Sequence, residues 1–210
     1  MEPDSQSFTA DEFNRWAETY DISVFGEEFP FIGYRKVLET IVNLAGPCQD
    51  LSILELGIGT GNLARLFSAQ GASLTATDFS AAMLAKTHRK IPSASLLLHD
   101  LREPLPFRRQ TFFDRIVSAY TFHHFDLPEK IRIIHDLHRS HLHPGGKIIL
   151  GDIAFQDDSS RKITQAEVGT AWEAEYYWLA DESLAALERD GLSASYFPVS
   201  SCAGIFMIDD

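Results

Sequence analysis

The chain has 210 residues, 45% hydrophobic and 23% charged, with a formal net charge of -12 at pH 7. That length suits one sizeable domain, and the composition is that of a soluble globular protein. The acidity argues against a surface that tracks nucleic-acid phosphates or anionic membranes. No apolar run approaches the roughly 18 residues of a membrane span, and the opening "MEPDSQSF" lacks the regions of a signal peptide. The expectation is a cytoplasmic protein that binds neither nucleic acid nor membrane. Cys48 and Cys202 match no metal or redox spacing and are read as buried free thiols.

The first seven residues are expected to be loose. "FTADEFNRWAETYD" predicts a helix with Phe13, Trp16 and Tyr20 on one face, and "FIGYRKVLETIVNLA" a second that stops at Gly46-Pro47. Strands and helices then alternate. "LSILELG" is a strand, "NLARLFSAQG" a helix, "ASLTATD" a strand, and "SAAMLAKTHRK" a helix with Ser80 at its N-cap. "SASLLLHD" and "FFDRIVSAY" are strands. "LPEKIRIIHDLHRSH" is a helix with Pro128 in its first turn, and "GGKIILGDIAF" is a strand. This alternation implies a mostly parallel, doubly wound α/β sheet with helices on both faces. The stretch from Thr164 to Gly191 reads as one or two helices, with Trp172, Tyr176, Tyr177 and Trp178 packing at helical spacing; the polar run 156–170 reads as a lid. "LSASYFPVS" and "CAGIFMIDD" close the chain as an antiparallel hairpin, for seven strands in all.

The informative stretch is "LELGIGTGNLA", with Gly57, Gly59 and Gly61 at alternate positions between a strand and a helix. In a parallel sheet this turn lies at the binding crevice, where glycine lets backbone approach a ligand and the next helix offers free N–H groups. The pattern is G-x-G-x-G; the dinucleotide fingerprint needs its third glycine where Asn62 stands, which disfavours a nicotinamide dehydrogenase. Asp78 ends the second strand and suits ribose hydroxyls. Asp100 ends the third at the same sheet edge and suits an exocyclic amine such as that of adenine.

Taken together, "ELGIGTGNL", "TDFSAAML", "HDLREPLPF", "FDRIVSAYTFHHF" and "HPGGKIIL" make the chain resemble the class I S-adenosylmethionine-dependent methyltransferases, of the bacterial small-molecule type, from about residue 50 onward. The resemblance implies a seven-stranded Rossmann-like sheet and S-adenosylmethionine as cofactor, with S-adenosylhomocysteine as product. It implies that Glu55, Gly57, Gly59 and Gly61 face the methionine part, Asp78 the ribose, and Phe79, Met83, Asp100 and Leu101 the adenine. Ser118 and Ala119 would line the floor near the sulfonium, and Tyr20 would reach in from the N-terminal helix. The implied layout is a single methyltransferase domain over 1–210. It comprises a helical cap (1–46), a cofactor-binding core (50–155), a variable helical segment (156–190) and a C-terminal strand pair (191–210).

For the acceptor side, Tyr120, His123 and His124 are the catalytic candidates. Adjacent residues usually diverge, so no metal is expected at the histidine pair. His135, His138, His141 and His143 read as a solvated helix end. The run after the fourth strand, "SAYTFHH", is not the Asp/Asn-Pro-Pro-aromatic run of enzymes that methylate base or glutamine amino groups, and no arsenite-type cysteine set is present. The expected activity is methyl transfer to a small-molecule acceptor by in-line displacement, in a monomer or homodimer. A non-catalytic regulator that binds S-adenosylmethionine or S-adenosylhomocysteine stays open as the alternative.

Overall fold

The structure is a computed structural model that describes residues 9–26, 28–108 and 111–209. The opening segment expected to be loose and part of "RRQ" at 108–110 lie outside these. Five parallel strands form the body of the sheet: β1 (Ser52–Leu56), β2 (Ser73–Asp78), β3 (Ser95–Leu98), β4 (Phe113–Ala119) and β5 (Leu142–Phe155). A two-residue strand, β6 (Trp178–Leu179), pairs parallel with the end of β5 and adds an eighth strand to the seven expected. The closing hairpin is β7 (Ala194–Pro198) and β8 (Ala203–Asp209), with β8 inserted antiparallel between β5 and β7. The order β3-β2-β1-β4-β5-β8-β7 reverses direction between β1 and β4, and a crevice opens there beyond the carboxyl ends of the strands.

Alternate side chains of the strands feed two apolar layers. Ile53, Val117 and Ile149 face α3 (Tyr34–Ala45) and α4 (Asn62–Ala69); Leu54, Ile116 and Ile148 face α6 (Leu127–His141) and α8 (Ala180–Arg189). α5 (Ala81–Lys90) starts at the Ser80 cap, whose hydroxyl accepts from Met83 N. Asp126 and Glu129 form a capping box that sets the start of α6, with Pro128 in its first turn. Cys48 and Cys202 are both free and buried.

Three local expectations need correction. The first predicted helix is two, α1 (Ala10–Trp16) and α2 (Tyr20–Val24), because Asp21 is drawn to the glycine turn by Thr60 Oγ1 and Asn62 Nδ2 at 2.5 and 3.0 Å. The segment from Trp172 to Tyr177 has no regular secondary structure and is not helical; helix α7 instead occupies Asp158–Val168, inside the run read as a lid, started by the Asp157 cap. His141 is not solvated: it is buried, and its ring Nδ1 donates to Thr111 O at 2.9 Å.

Candidate active site

The three glycines differ in their tasks. All have positive φ, at 65, 55 and 80° for Gly57, Gly59 and Gly61. A Cβ at Gly57 would lie 2.2 Å from Thr121 Oγ1 and one at Gly61 3.0 Å from Thr87 Oγ1, so these two admit neighbouring chain. At Gly59 the nearest atom would be Tyr20 Cε1 at 3.9 Å, on the side that faces the crevice. Gly59 N donates to Asp78 Oδ2 and Ser80 N to Asp78 Oδ1, both at 2.8 Å. These bonds fix the carboxylate at the mouth of β2 while leaving further lone pairs for a ligand. Burial outweighs the N–H groups of Ser80, Gly59 and Phe79 and raises the Asp78 pKa to about 6. Behind it Glu55 is buried, and burial reinforced by the Asp78 charge pushes its pKa well above the usual carboxylate range. Among the described residues, Glu55 Oε2 has no hydrogen-bond partner.

The crevice spans about 650 Å³ of empty space, the open solvent at its mouth included. Of the predicted residues, Tyr20, Gly57, Gly59, Asp78, Phe79, Met83, Asp100, Leu101, Tyr120 and His124 line it. Glu55, Gly61, Ser118 and Ala119 do not; the Ser118 hydroxyl donates to Leu56 O at 2.7 Å within the sheet. Asp100 is tied to Arg102, its Oδ1 accepting from the backbone N at 2.9 Å. Phe13, His99, Arg102, Thr121 and Phe125 complete the wall and were missed. Only Phe13 had a signal, the aromatic face of the first helix.

A second cavity, spanning about 1100 Å³ with the open solvent at its mouth included, adjoins the first; Phe13, Tyr20, Tyr120 and His124 line both. Tyr120 stands at the junction with φ of 54°, a strained value for a tyrosine, and among the described residues its buried hydroxyl has no partner. The far side of this cavity holds a polar cluster. The 3-10 turn Phe122–His124 brings the rings of His123 and His124 to 4.1 Å between centroids, and Glu175 lies at 4.0 and 3.9 Å from them. One ligand-type atom from each of the three falls within 4.8 Å of the others, against the expectation that adjacent histidines diverge. His123 Nδ1 donates to Asp152 Oδ1 at 2.6 Å, and Asp152 Oδ2 accepts from His123 N at 2.9 Å and Trp178 Nε1 at 3.3 Å. Burial pulls the His123 pKa down, but the Asp152 and Glu175 carboxylates prevail and hold it above the ordinary histidine value. Burial lowers His124 well below it. Lys130 is buried against the Trp178 ring, bonded to Tyr176 O, and desolvation brings its pKa down to about 8. Asp152, Glu175 and Lys130 were not singled out from the sequence.

Residues 53–146 match a methyltransferase-domain family model. An uncharacterised methyltransferase of Geobacillus kaustophilus is 34% identical over 200 residues, covering 89% of each chain, and one of Bacillus pumilus is 34% identical over 88% of this chain and 89% of its own. The chain is a class I S-adenosylmethionine-dependent methyltransferase. Its fold is shared with a Synechocystis magnesium protoporphyrin IX methyltransferase solved with bound S-adenosylhomocysteine (TM-score 0.75, 16% identity, 95% and 97% coverage). It is shared also with DhpI in complex with S-adenosylmethionine and HEP (TM-score 0.72, 20% identity, 95% of each chain). The methyltransferase takes S-adenosylmethionine as cofactor. The crevice fits that molecule: bare backbone at Gly59, a carboxylate at the mouth of β2, and apolar walls at Phe79, Met83 and Leu101. No helix of the described residues is long and apolar enough to cross a membrane.

Proposed function

We propose that the methyltransferase transfers the methyl group to a small-molecule acceptor held in the second cavity. Tyr120 carries this reading, since it walls both cavities where they meet, in a strained conformation and with an unspent hydroxyl. The cofactor supplies an activated methyl on a sulfonium, displaced in line by the acceptor. Asp78 accepts from the ribose hydroxyls; Phe79, Met83 and Leu101 flank the adenine, and Asp100 takes its amine. Glu55 and the Gly57–Gly59 turn face the methionine end, and Gly61, Ser118 and Ala119 set the backbone behind it. Tyr120, His123 and His124 stand on the acceptor side. One structural neighbour is named for a small acceptor, magnesium protoporphyrin IX, which supports the same class here. The acidic surface supports an acceptor other than nucleic acid.

The test is calorimetric titration with S-adenosylmethionine and S-adenosylhomocysteine, with NAD as control, followed by acceptor screening with labelled methyl. Binding of the first two without NAD, then label in a small molecule, is the expected result. Label only in macromolecular fractions would overturn the acceptor class, and binding without transfer to any acceptor would favour a regulatory protein.

A further inference from the structure

We propose that the second cavity takes an arylalkyl amine, bound as its ammonium, as its methyl acceptor, and that His123, positioned by Asp152, removes the proton from that amine. The inference rests on the reading of the second cavity as the acceptor site. Three observations lead to it. First, the walls are aromatic: Trp16, Phe29, Phe31 and Tyr177 line the cavity, with Phe29 stacked on Trp172 at 5.1 Å. Second, the permanently charged side chains there are all acidic. Glu12, Glu173 and Glu175 line the cavity, and among its described lining residues there is no lysine or arginine. A carboxylate or phosphate acceptor would meet no lysine or arginine to bind it and would face the three glutamates, whereas an ammonium finds carboxylates and ring faces.

Third, a base stands ready. The Nδ1–H···Asp152 bond leaves His123 Nε2 as the free acceptor nitrogen of the neutral ring, 4.0 Å from Glu175. A thiolate or carboxylate acceptor would have no use for it, but an ammonium has no electron pair to attack with. In the step inferred, His123 Nε2 takes one N–H proton and the freed nitrogen pair forms the N–C bond to the methyl. The C–S pair stays on sulfur, and the positive charge passes from sulfur to nitrogen. His123 then releases its proton to solvent. The titratable groups facing His123 are Asp152 from β5, Glu175 from the irregular 172–177 segment, Lys130 from α6 and the adjoining His124. The two carboxylates favour the imidazolium, so the base form, and with it methyl transfer, is gained as pH rises above the ordinary histidine range.

The full chain saturated with S-adenosylhomocysteine should be titrated with 2-phenylethylamine, 2-phenylethanol and 3-phenylpropionate, followed by calorimetry and by the imidazole nitrogen resonances of His123. The amine should bind about tenfold tighter than the alcohol, the carboxylate more weakly than either, and Glu175→Gln should erase the amine's advantage. His123 should carry its proton on Nδ1 when neutral and titrate above an ordinary histidine; Asp152→Asn should lower that titration. Equal or tighter binding of the carboxylate, no preference for the amine, or an Nε2–H tautomer in the wild type would overturn the proposal. So would one equivalent of a divalent metal bound to the purified chain through His123, His124 and Glu175. Failure of S-adenosylhomocysteine itself to bind would instead strike at the cofactor reading.

Discussion

Asp78 shows how one side chain links the glycine turn, the crevice and pH. Its carboxylate is held by Gly59 N and Ser80 N, and its pKa of about 6 lies above the ordinary 3.8. Between those values the folded chain holds a proton that the unfolded chain has lost, so this group costs stability as pH climbs through the window. Hydroxyl donors favour the ionised form, so ligand binding expels that proton. S-adenosylhomocysteine affinity should therefore rise as pH goes from about 5 to about 7 and then level off, as calorimetry can follow. Asp78→Ala should weaken binding by about 1–3 kcal/mol and remove this pH dependence; an unchanged affinity would exclude Asp78 from the ribose. Asp78 was legible in the sequence because it ends a strand just beyond a glycine turn. Asp152 was not: it meets His123 across 29 residues of chain, and no local pattern marks that pairing. Thr121 was hidden for a like reason, as its approach to Gly57 spans 64 residues.

Among the elements, α1 and α2 are held over the crevice by few bonds. The Thr9–Glu12 capping box starts α1. Asn14 Oδ1 then accepts from Ser80 Oγ at 2.7 Å and Ala82 N at 3.1 Å, tying α1 to the start of α5. Lys90 Nζ reaches Asp21 Oδ2 at 2.8 Å and ties α2 to the other end of α5. Asn14→Ala removes one tie without touching the crevice wall. It should cost about 1 kcal/mol in S-adenosylhomocysteine affinity and raise amide exchange in residues 10–24, with little change in melting temperature. Unchanged exchange there would show that the Asp21 contacts suffice. The elements with their own start signals, α1, α5 and α6, were readable. The break between α1 and α2 and the irregular 172–177 run were not, because tertiary bonds override helical periodicity there: Asp21 to the turn, Tyr176 N to His123 O.

At the level of the whole molecule the alternation of strand and helix was enough to give the parallel sheet, whose central strands β1, β4 and β5 carry apolar residues on both faces. The helix-to-sheet fit was not visible in the same way. At Gly151 on β5 an added Cβ would come within 2.6 Å of Val37 Cγ1 and 2.8 Å of Ile41 Cδ1, so α3 rests directly on the strand's backbone. Gly151→Val should destabilise the fold by about 1–3 kcal/mol or more through overpacking, read by urea unfolding. The same change at exposed Gly191 would meet no neighbour within 4 Å and tests strain at φ of 80° alone.

The wall common to the two cavities limits what kinetics can separate. Phe13, Tyr20, Tyr120 and His124 each border both cavities, so on the proposed assignment of donor and acceptor a variant at any of them should perturb both Michaelis constants together and cannot say which ligand suffered. Reporters that speak for one ligand must sit on one side only: Met83 and Leu101 for the donor, Phe29 and Tyr177 for the acceptor.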